Sequence, residues 1–258
     1  MDGRVRHALG LLHHGAEGAI WIHNWCRRIV QCLGVECTPE GELPGRLAAR
    51  GGFEAVVCNH LSYIDILLMS SVRPFIMVAK TEVRGWPLLG WLTAQAGTVY
   101  VTRGGKPETY PAVNAAMAHA YRSGLPVLFF PEGATTDGSE ILPFRRGLFH
   151  SVLRDRVQVS TAALRYELAG EQAGATVAND VCWWGDAKFT PHLFRLLGLR
   201  GVRAAIRFGE VAEGIDRFAL SENARAEVCG LHAGLTVNSP AGAATASPRA
   251  DPLIAHTS

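Results

Sequence analysis

The chain predicts an α/β fold: a mixed, largely parallel sheet flanked by helices. Three observations point to it. Short apolar runs recur along the 258 residues. Polar stretches of helix length separate them. A hydrophobic share of 48% against 19% charged residues gives a chain of this length a large core to bury. In order, the runs at 53–58, 75–79, 98–102, 127–130, 157–164 and 202–208 read as strands. The stretches 62–72, 87–96, 107–123 and 144–153 read as helices between them. The first of these helices has Ser62 as its cap and Asp65 in its first turn. Strands alternating with helices are the pattern of a mostly parallel sheet.

The two ends read differently. Trp21, Ile22, Trp25, Ile29 and Leu33 recur at helical spacing, with Arg27 and Arg28 beside them. Such a helix can lie in a bilayer interface, or pack on the sheet with its arginines in water. The sequence leaves both open. Residues 237–258 are rich in Ala, Ser, Pro and Thr without periodicity, and are expected to be disordered. The chain thus divides into an N-terminal amphipathic segment (1–38), a main domain (39–236) and a tail (237–258).

Charge and cysteine usage remove several function classes. Lys and Arg number 25 and Asp and Glu 23, a net +2, which is not the basic excess of a nucleic-acid binder. No stretch supplies the roughly 20 apolar residues of a membrane span; the most tempting, from Trp86 to Thr102, contains Pro87, Gly90, Gln95 and Gly97. The N-terminus carries His13, His14 and Glu17 and does not read as a secretory signal. Six cysteines form no CxxC pair, so neither zinc nor thioredoxin chemistry is indicated, and reduced thiols on a cytosolic face are expected. No GxSxG elbow is present, which argues against a serine hydrolase.

The sharpest local feature is Asn59-His60-Leu61-Ser62-Tyr63-Ile64-Asp65, at a strand-to-helix turn. Ligands tend to bind at such turns in α/β sheets. A loop histidine there can fold back onto a carboxylate in the first helical turn. The carboxylate would hold one ring N–H and leave the other nitrogen free to take a proton. This is two thirds of a catalytic triad, with the acceptor hydroxyl left to the substrate. Three further strands end near polar residues: the segment from Gly97 runs into Arg103, the one at Phe129-Phe130 into Pro131-Glu132-Gly133, and a third ends at Tyr166. On their own, Arg103 reads as a strand-end salt bridge and Glu132 as a turn carboxylate.

Taken together, NHLSYID, the G-x-V-x-V-x-R strand and FFPEG resemble the glycerolipid acyltransferases, of the 1-acylglycerol-3-phosphate acyltransferase type, from about Trp25 to Ala233. The segments Cys182-Trp183-Trp184-Gly185-Asp186 and Asp216-Arg217 are also similar to bacterial members. The resemblance implies the glycerol-3-phosphate acyltransferase-like fold, with His60 as general base and Asp65 as its orienting carboxylate. It implies a substrate-binding set of Asn59, Ser62, Lys80, Arg103, Glu132, Gly133 and Thr135, with Arg103 on the acceptor phosphate and Lys80 near it. No cofactor or metal is implied. The donor would be acyl-CoA or acyl-carrier protein, the acceptor a lyso-phospholipid, and the setting the cytoplasmic face of a membrane without a span. Many members continue FPEG with Thr-Arg-Ser, where this chain has Ala134-Thr135-Thr136. Members often carry a proline in the fourth block, where Ser160-Thr161 stands. Both departures bear on the acceptor head group and keep another lyso-lipid, such as a lyso-ornithine lipid, in play. A catalytically silent lipid-binding protein is the alternative of another class, and intact His60 and Asp65 argue against it.

Two stretches add to this reading. Residues 187–209 carry Lys188, Arg195, Arg200, Arg203 and Arg207 without an acid. They read as an amphipathic helix plus an edge strand, or as a basic, apolar surface for anionic lipid. Gly104-Gly105-Lys106 reads as a flexible turn beside the acceptor.

Overall fold

The computed structural model describes residues 15–45, 51–86, 89–102 and 110–237. Arg103, the Gly104-Gly105-Lys106 turn and nearly all of the expected disordered tail lie outside the described residues. Seven strands form one sheet: β1 (Val35–Glu40), β2 (Glu54–Cys58), β3 (Ile76–Lys80), β4 (Val99–Val101), β5 (Val127–Phe129), β6 (Gln158–Leu168) and β7 (Val202–Ala212). Their order is β1-β7-β6-β2-β5-β3-β4. The pairings are parallel except β6 with β7, so the sheet is mixed and largely parallel as expected. The helices are α1 (Gly15–Cys32), α2 (Ile64–Val72), α3 (Leu89–Gln95), α4 (Tyr110–Tyr121), α5 (Gly147–Arg154), α6 (Phe189–Leu197) and α7 (Arg217–Ala233).

The center of the sheet is β2, buried at every residue. Its alternation feeds two cores. Ala55 and Val57 share one layer with Met117, Tyr121, Phe149 and Val228 of α4, α5 and α7, while Val56 and Cys58 share the other with Ile64, Leu68 and Met69 of α2. Period-two alternation with both faces apolar is what a strand covered by helices on both sides requires.

Two elements were not legible as apolar runs. The edge strand β1 reads Val-Glu-Cys-Thr-Pro-Glu and buries only Val35. An edge strand tolerates polar side chains and Pro39, because one of its sides carries no ladder. It is tied down by Arg207, whose Nε and Nη2 lie 2.8 and 2.7 Å from Glu40. With β1 in place, β7 is an interior strand, which corrects the edge-strand reading of 202–208. Helix α7 interleaves polar and small apolar residues and buries Leu220, Ala224 and Val228 as a narrow stripe. Its start is fixed by Asp216, which accepts N–H bonds from Phe218 and Ala219 at 2.8 and 2.9 Å.

Helix α1 packs on the fold by one face and leaves the other exposed. Ala19, Ile22, His23, Cys26 and Val30 are buried. The His23 Nδ1–H donates to the Ser70 carbonyl of α2 at 2.7 Å. On the other face Trp25 is 44% exposed, with the Arg28 guanidinium over its ring. Trp21 meets Trp91 of α3 edge to face.

Candidate active site

Because β2 and β5 are parallel neighbors, pairing Val57 with Phe129, their C-terminal ends open on the same edge of the sheet. That edge is where open α/β sheets bind ligands. The loop after β2 carries Asn59 to Tyr63 and leads into α2, whose first turn holds Asp65, and the loop after β5 carries Phe130 to Gly133.

The His60 ring lies on the Phe130 ring, centroids 4.1 Å apart and planes 12° from parallel. Its Nδ1 is 2.6 Å from Asp65 Oδ2. An ionised carboxylate only accepts, so Nδ1 carries the proton and Nε2 holds the lone pair of the neutral ring. The side chain is 18% exposed, and Nε2 has no hydrogen-bond partner among the described residues. Asp65 is fully buried. Its Oδ2 also accepts the backbone N–H of Leu61 at 2.6 Å and of Ser62 at 2.9 Å, and its Oδ1 accepts the Tyr166 hydroxyl at 2.8 Å. Four donors converge on one buried charge, which is how such a charge is tolerated.

The backbone around His60 is pinned from two sides. Glu132 Oε1 accepts the His60 N–H at 2.7 Å, and Oε2 accepts the Leu142 N–H at 2.7 Å. Thr136 N–H donates to the His60 carbonyl, and Trp183 N–H donates to the Leu61 carbonyl. Burial pushes the Glu132 carboxyl up to about 7, opposed by those two backbone donors. Arg225, from α7, holds the carbonyls of Ile141 and Leu142 and so supports the same turn.

Three residues expected to contact substrate are buried, and two of them spend their polar atoms inside the protein. Asn59 is fully buried, and its amide is used on β6: Nδ2 donates to the Leu164 carbonyl at 3.0 Å and Oδ1 accepts the Leu164 N–H at 2.8 Å. Glu132 is 2% exposed, with both oxygens held by backbone N–H groups. Ser62 is fully buried, and its Oγ has no hydrogen-bond partner. Nor does Ser62 cap α2. The cap position is Tyr63 without a side-chain bond, and Asp65 reaches back to the free N–H groups instead. Of the other expected residues, Arg103 lies outside the described residues, while Lys80, Gly133 and Thr135 stand at or past the C-terminal ends of β3 and β5. Gly133 turns the chain at φ +68°, in the left-handed region glycine adopts freely. Thr135 is partly exposed in the same loop. Lys80 ends β3, beside Val101 of β4, two residues before Arg103.

Beside the His60 loop stands an aromatic wall. Tyr63 meets Phe189, Trp183 and His192 edge-on, and Trp86 meets Trp183. His192 Nε2 donates to the Cys182 carbonyl at 2.9 Å, leaving Nδ1 to accept the Tyr63 hydroxyl at 3.1 Å. This pins α6 next to the site, with Phe194 69% and Leu197 52% exposed on its outer side. Of the five basic residues in 187–209, Arg203 and Arg207 face Glu36 and Glu40 of β1, while Lys188, Arg195 and Arg200 stay on the outside. Among the described residues, no group of three or more His, Cys, Asp and Glu side chains is placed to hold a metal ion.

Tyr166 and Phe130 are the site residues that sequence reasoning passed over. Their signal was faint: each is an aromatic residue at or just past the end of an apolar strand, where only the fold shows what it touches.

An imidazole fixed by a buried carboxylate at the open edge of an α/β sheet is the arrangement of a general base whose nucleophile comes from elsewhere. A family model described as Acyltransferase matches residues 50–165. The lyso-ornithine lipid O-acyltransferase of Pseudomonas aeruginosa is 32% identical over 208 residues, covering 79% of this chain and 75% of that protein. The 1-acyl-sn-glycerol-3-phosphate acyltransferase of Neisseria meningitidis is 33% identical over 170 residues, 65% of this chain, and the match spans 64% of that relative's length. The crystal structure of the 1-acyl-sn-glycerophosphate acyltransferase PlsC from Thermotoga maritima superposes with a TM-score of 0.61 at 16% identity, covering 91% of this chain and 90% of that one. That likeness shows a shared fold. The chain belongs to the acyltransferase family.

Proposed function

We propose that the protein transfers a fatty acyl group from acyl-CoA or acyl-carrier protein to the sn-2 hydroxyl of 1-acylglycerol-3-phosphate, giving phosphatidate. The observation that carries this reading is the His60–Asp65 pair. Nδ1 is tied to a buried carboxylate at 2.6 Å, and Nε2 is left without a partner at the sheet edge. Nε2 would take the hydroxyl proton as the acceptor oxygen attacks the thioester carbonyl. The C–S bond then breaks, and the thiolate leaves with the proton from the imidazolium. No acyl-enzyme is needed. A positioned base contributes roughly 10²–10⁴-fold. Asp65 would stabilise the imidazolium while it exists. Arg103 and Lys80 would pair with the acceptor phosphate, each charge-assisted bond contributing about 1.5–3 kcal/mol.

A second acceptor, a lyso-ornithine lipid, is supported by the name of the Pseudomonas relative and by Ala134-Thr135-Thr136 after the FPEG segment. A panel of lyso-lipid acceptors, each offered with acyl-CoA and with acyl-carrier protein and read by product mass, separates the two. Phosphatidate as the main product supports the first. Acyl transfer to the lyso-ornithine lipid alone would replace it with the second, and no transfer to either would remove both.

The site would be reached from a membrane surface. Among the described residues no helix is long and apolar enough to cross a membrane. The outer side of α6, with exposed Phe194 and Leu197 flanked by Lys188, Arg195 and Arg200, supports peripheral contact with anionic lipid next to the site. Exposed Trp25 and its neighbor Arg28 supply a second such patch. Attachment at the cytoplasmic face of the cell membrane follows as part of the proposal.

A further inference from the structure

We infer that Tyr166 is a positioning residue for acyl transfer, acting through Asp65 to keep the His60 imidazole able to accept a proton at neutral pH. This inference rests on His60 being the general base. Strand β6 has eleven residues and its neighbor β2 has five, so β6 runs on past the end of β2. Pairing between the two stops at Cys58 and Ala162. Beyond that point β6 still serves the His60 loop. Asn59 clamps the backbone of Leu164, and one step further along the same face the Tyr166 hydroxyl reaches Asp65 Oδ1 at 2.8 Å. The overrun of the long strand thus becomes a prop for the catalytic turn.

The chemistry of the contact sets its consequence. A carboxylate alone beside an imidazole favors the protonated ring, which cannot act as a base. Each additional donor on that carboxylate draws off part of its charge and weakens its preference for an imidazolium. The N–H groups of Leu61 and Ser62 are fixed by the backbone, so Tyr166 is the side-chain contribution. It is buried, and burial and the Asp65 charge push its phenol well above the ordinary value, so it remains a donor throughout the working range. The other titratable groups around the pair are Cys58 on β2, Cys182 ahead of α6, Cys37 on β1 and Glu132 after β5. The thiols are pushed well up by burial, to about 12 for Cys37 and Cys182, and stay neutral. Glu132 titrates near 7, so a rate profile alone would mix its ionisation with that of the ring.

The test is Tyr166→Phe, which removes one oxygen and keeps the buried ring. Two readouts are taken: the acid limb of kcat/KM against pH, and the nitrogen NMR titration of the His60 ring without substrate. The expected result is that both midpoints move to higher pH by about 0.5–1 unit, with kcat on the alkaline plateau within about twofold and the acceptor KM unchanged. If the variant folds poorly, 3-fluorotyrosine placed at position 166 gives the opposite perturbation. A stronger donor should move both midpoints to lower pH. Unmoved ring titration in either protein, or an equal loss of kcat at every pH, would overturn the inference and leave Tyr166 as packing only. A ring titration that moves while the rate profile does not would keep the Tyr166–Asp65 coupling and refute His60 as the base.

Discussion

Replacing Glu132 with Gln should separate what this carboxylate does for stability from what it does for the site. In the native protein each carboxylate oxygen accepts one backbone N–H, from His60 and from Leu142, both at 2.7 Å, and the group is 2% exposed. A glutamine can place its oxygen on only one of them. Its NH2 then faces the other N–H, and leaving a buried donor unpaired costs about 1–3 kcal/mol. The charge itself has the opposite effect. Burial raises the carboxyl from 4.5 to about 7, so the native state binds a proton more tightly than the unfolded chain does. Stability from this group is therefore full below about 4.5 and declines as pH rises toward 7. A shift of that size corresponds to roughly 3 kcal/mol over the window. The variant lacks this slope. Urea unfolding at several pH values should show Glu132→Gln less stable than the native protein at pH 5, and equal to it or more stable at pH 8. Thiol release from acyl-CoA with lysophosphatidate should fall at both, because the His60 backbone loses its anchor or Leu142 does. Parallel stability curves for the two proteins, or full activity in the variant, would refute the reasoning.

Other predictions test separate parts of the account. Asn59→Ala should destabilise the protein by about 2–4 kcal/mol, since it orphans the N–H and the carbonyl of Leu164. The change should appear in the urea midpoint, whereas a substrate-contact role would instead raise the acceptor KM without loss of stability. Arg103→Ala should mainly raise the acceptor KM; an effect confined to the acyl donor would contradict a phosphate contact. Phe194→Glu with Leu197→Glu, on the exposed side of α6, should weaken co-sedimentation with anionic vesicles and leave turnover of a short-chain, soluble acceptor unchanged. Unchanged sedimentation would remove α6 from the membrane-facing surface.

How much of this was legible in the sequence depends on which physical signal each residue carries. Continuous apolar runs mark strands that are covered on both faces, so six of the seven were visible. The edge strand β1 was not, because its burial is limited to Val35 and its hold comes from a ladder to β7 and from Glu40 pairing with an arginine there, 167 residues away. The His60–Asp65 pairing was legible because both groups lie on one short turn, where chain geometry limits the possibilities. What the turn's neighbors do was not. Asn59 sits in the same motif, yet its partner Leu164 is 105 residues away, and sequence order gives no hint that the amide beside His60 serves as a sheet clamp. Glu132 was assigned to substrate because FFPEG resembles an acceptor-binding element, whereas its partners here are backbone N–H groups, one of them 72 positions earlier. Tyr166 stayed hidden because its role follows from β6 outrunning β2, a difference in strand length that apolar runs define poorly at their ends.

The most direct test of the central claim is the rate of thiol release from acyl-CoA with lysophosphatidate as acceptor, measured for His60→Ala beside the native protein. Folding of the variant is verified by its urea midpoint. The account predicts a folded variant whose kcat has fallen by about 10²–10⁴-fold. A folded variant that turns over near the native rate would contradict the assignment of His60 as the base.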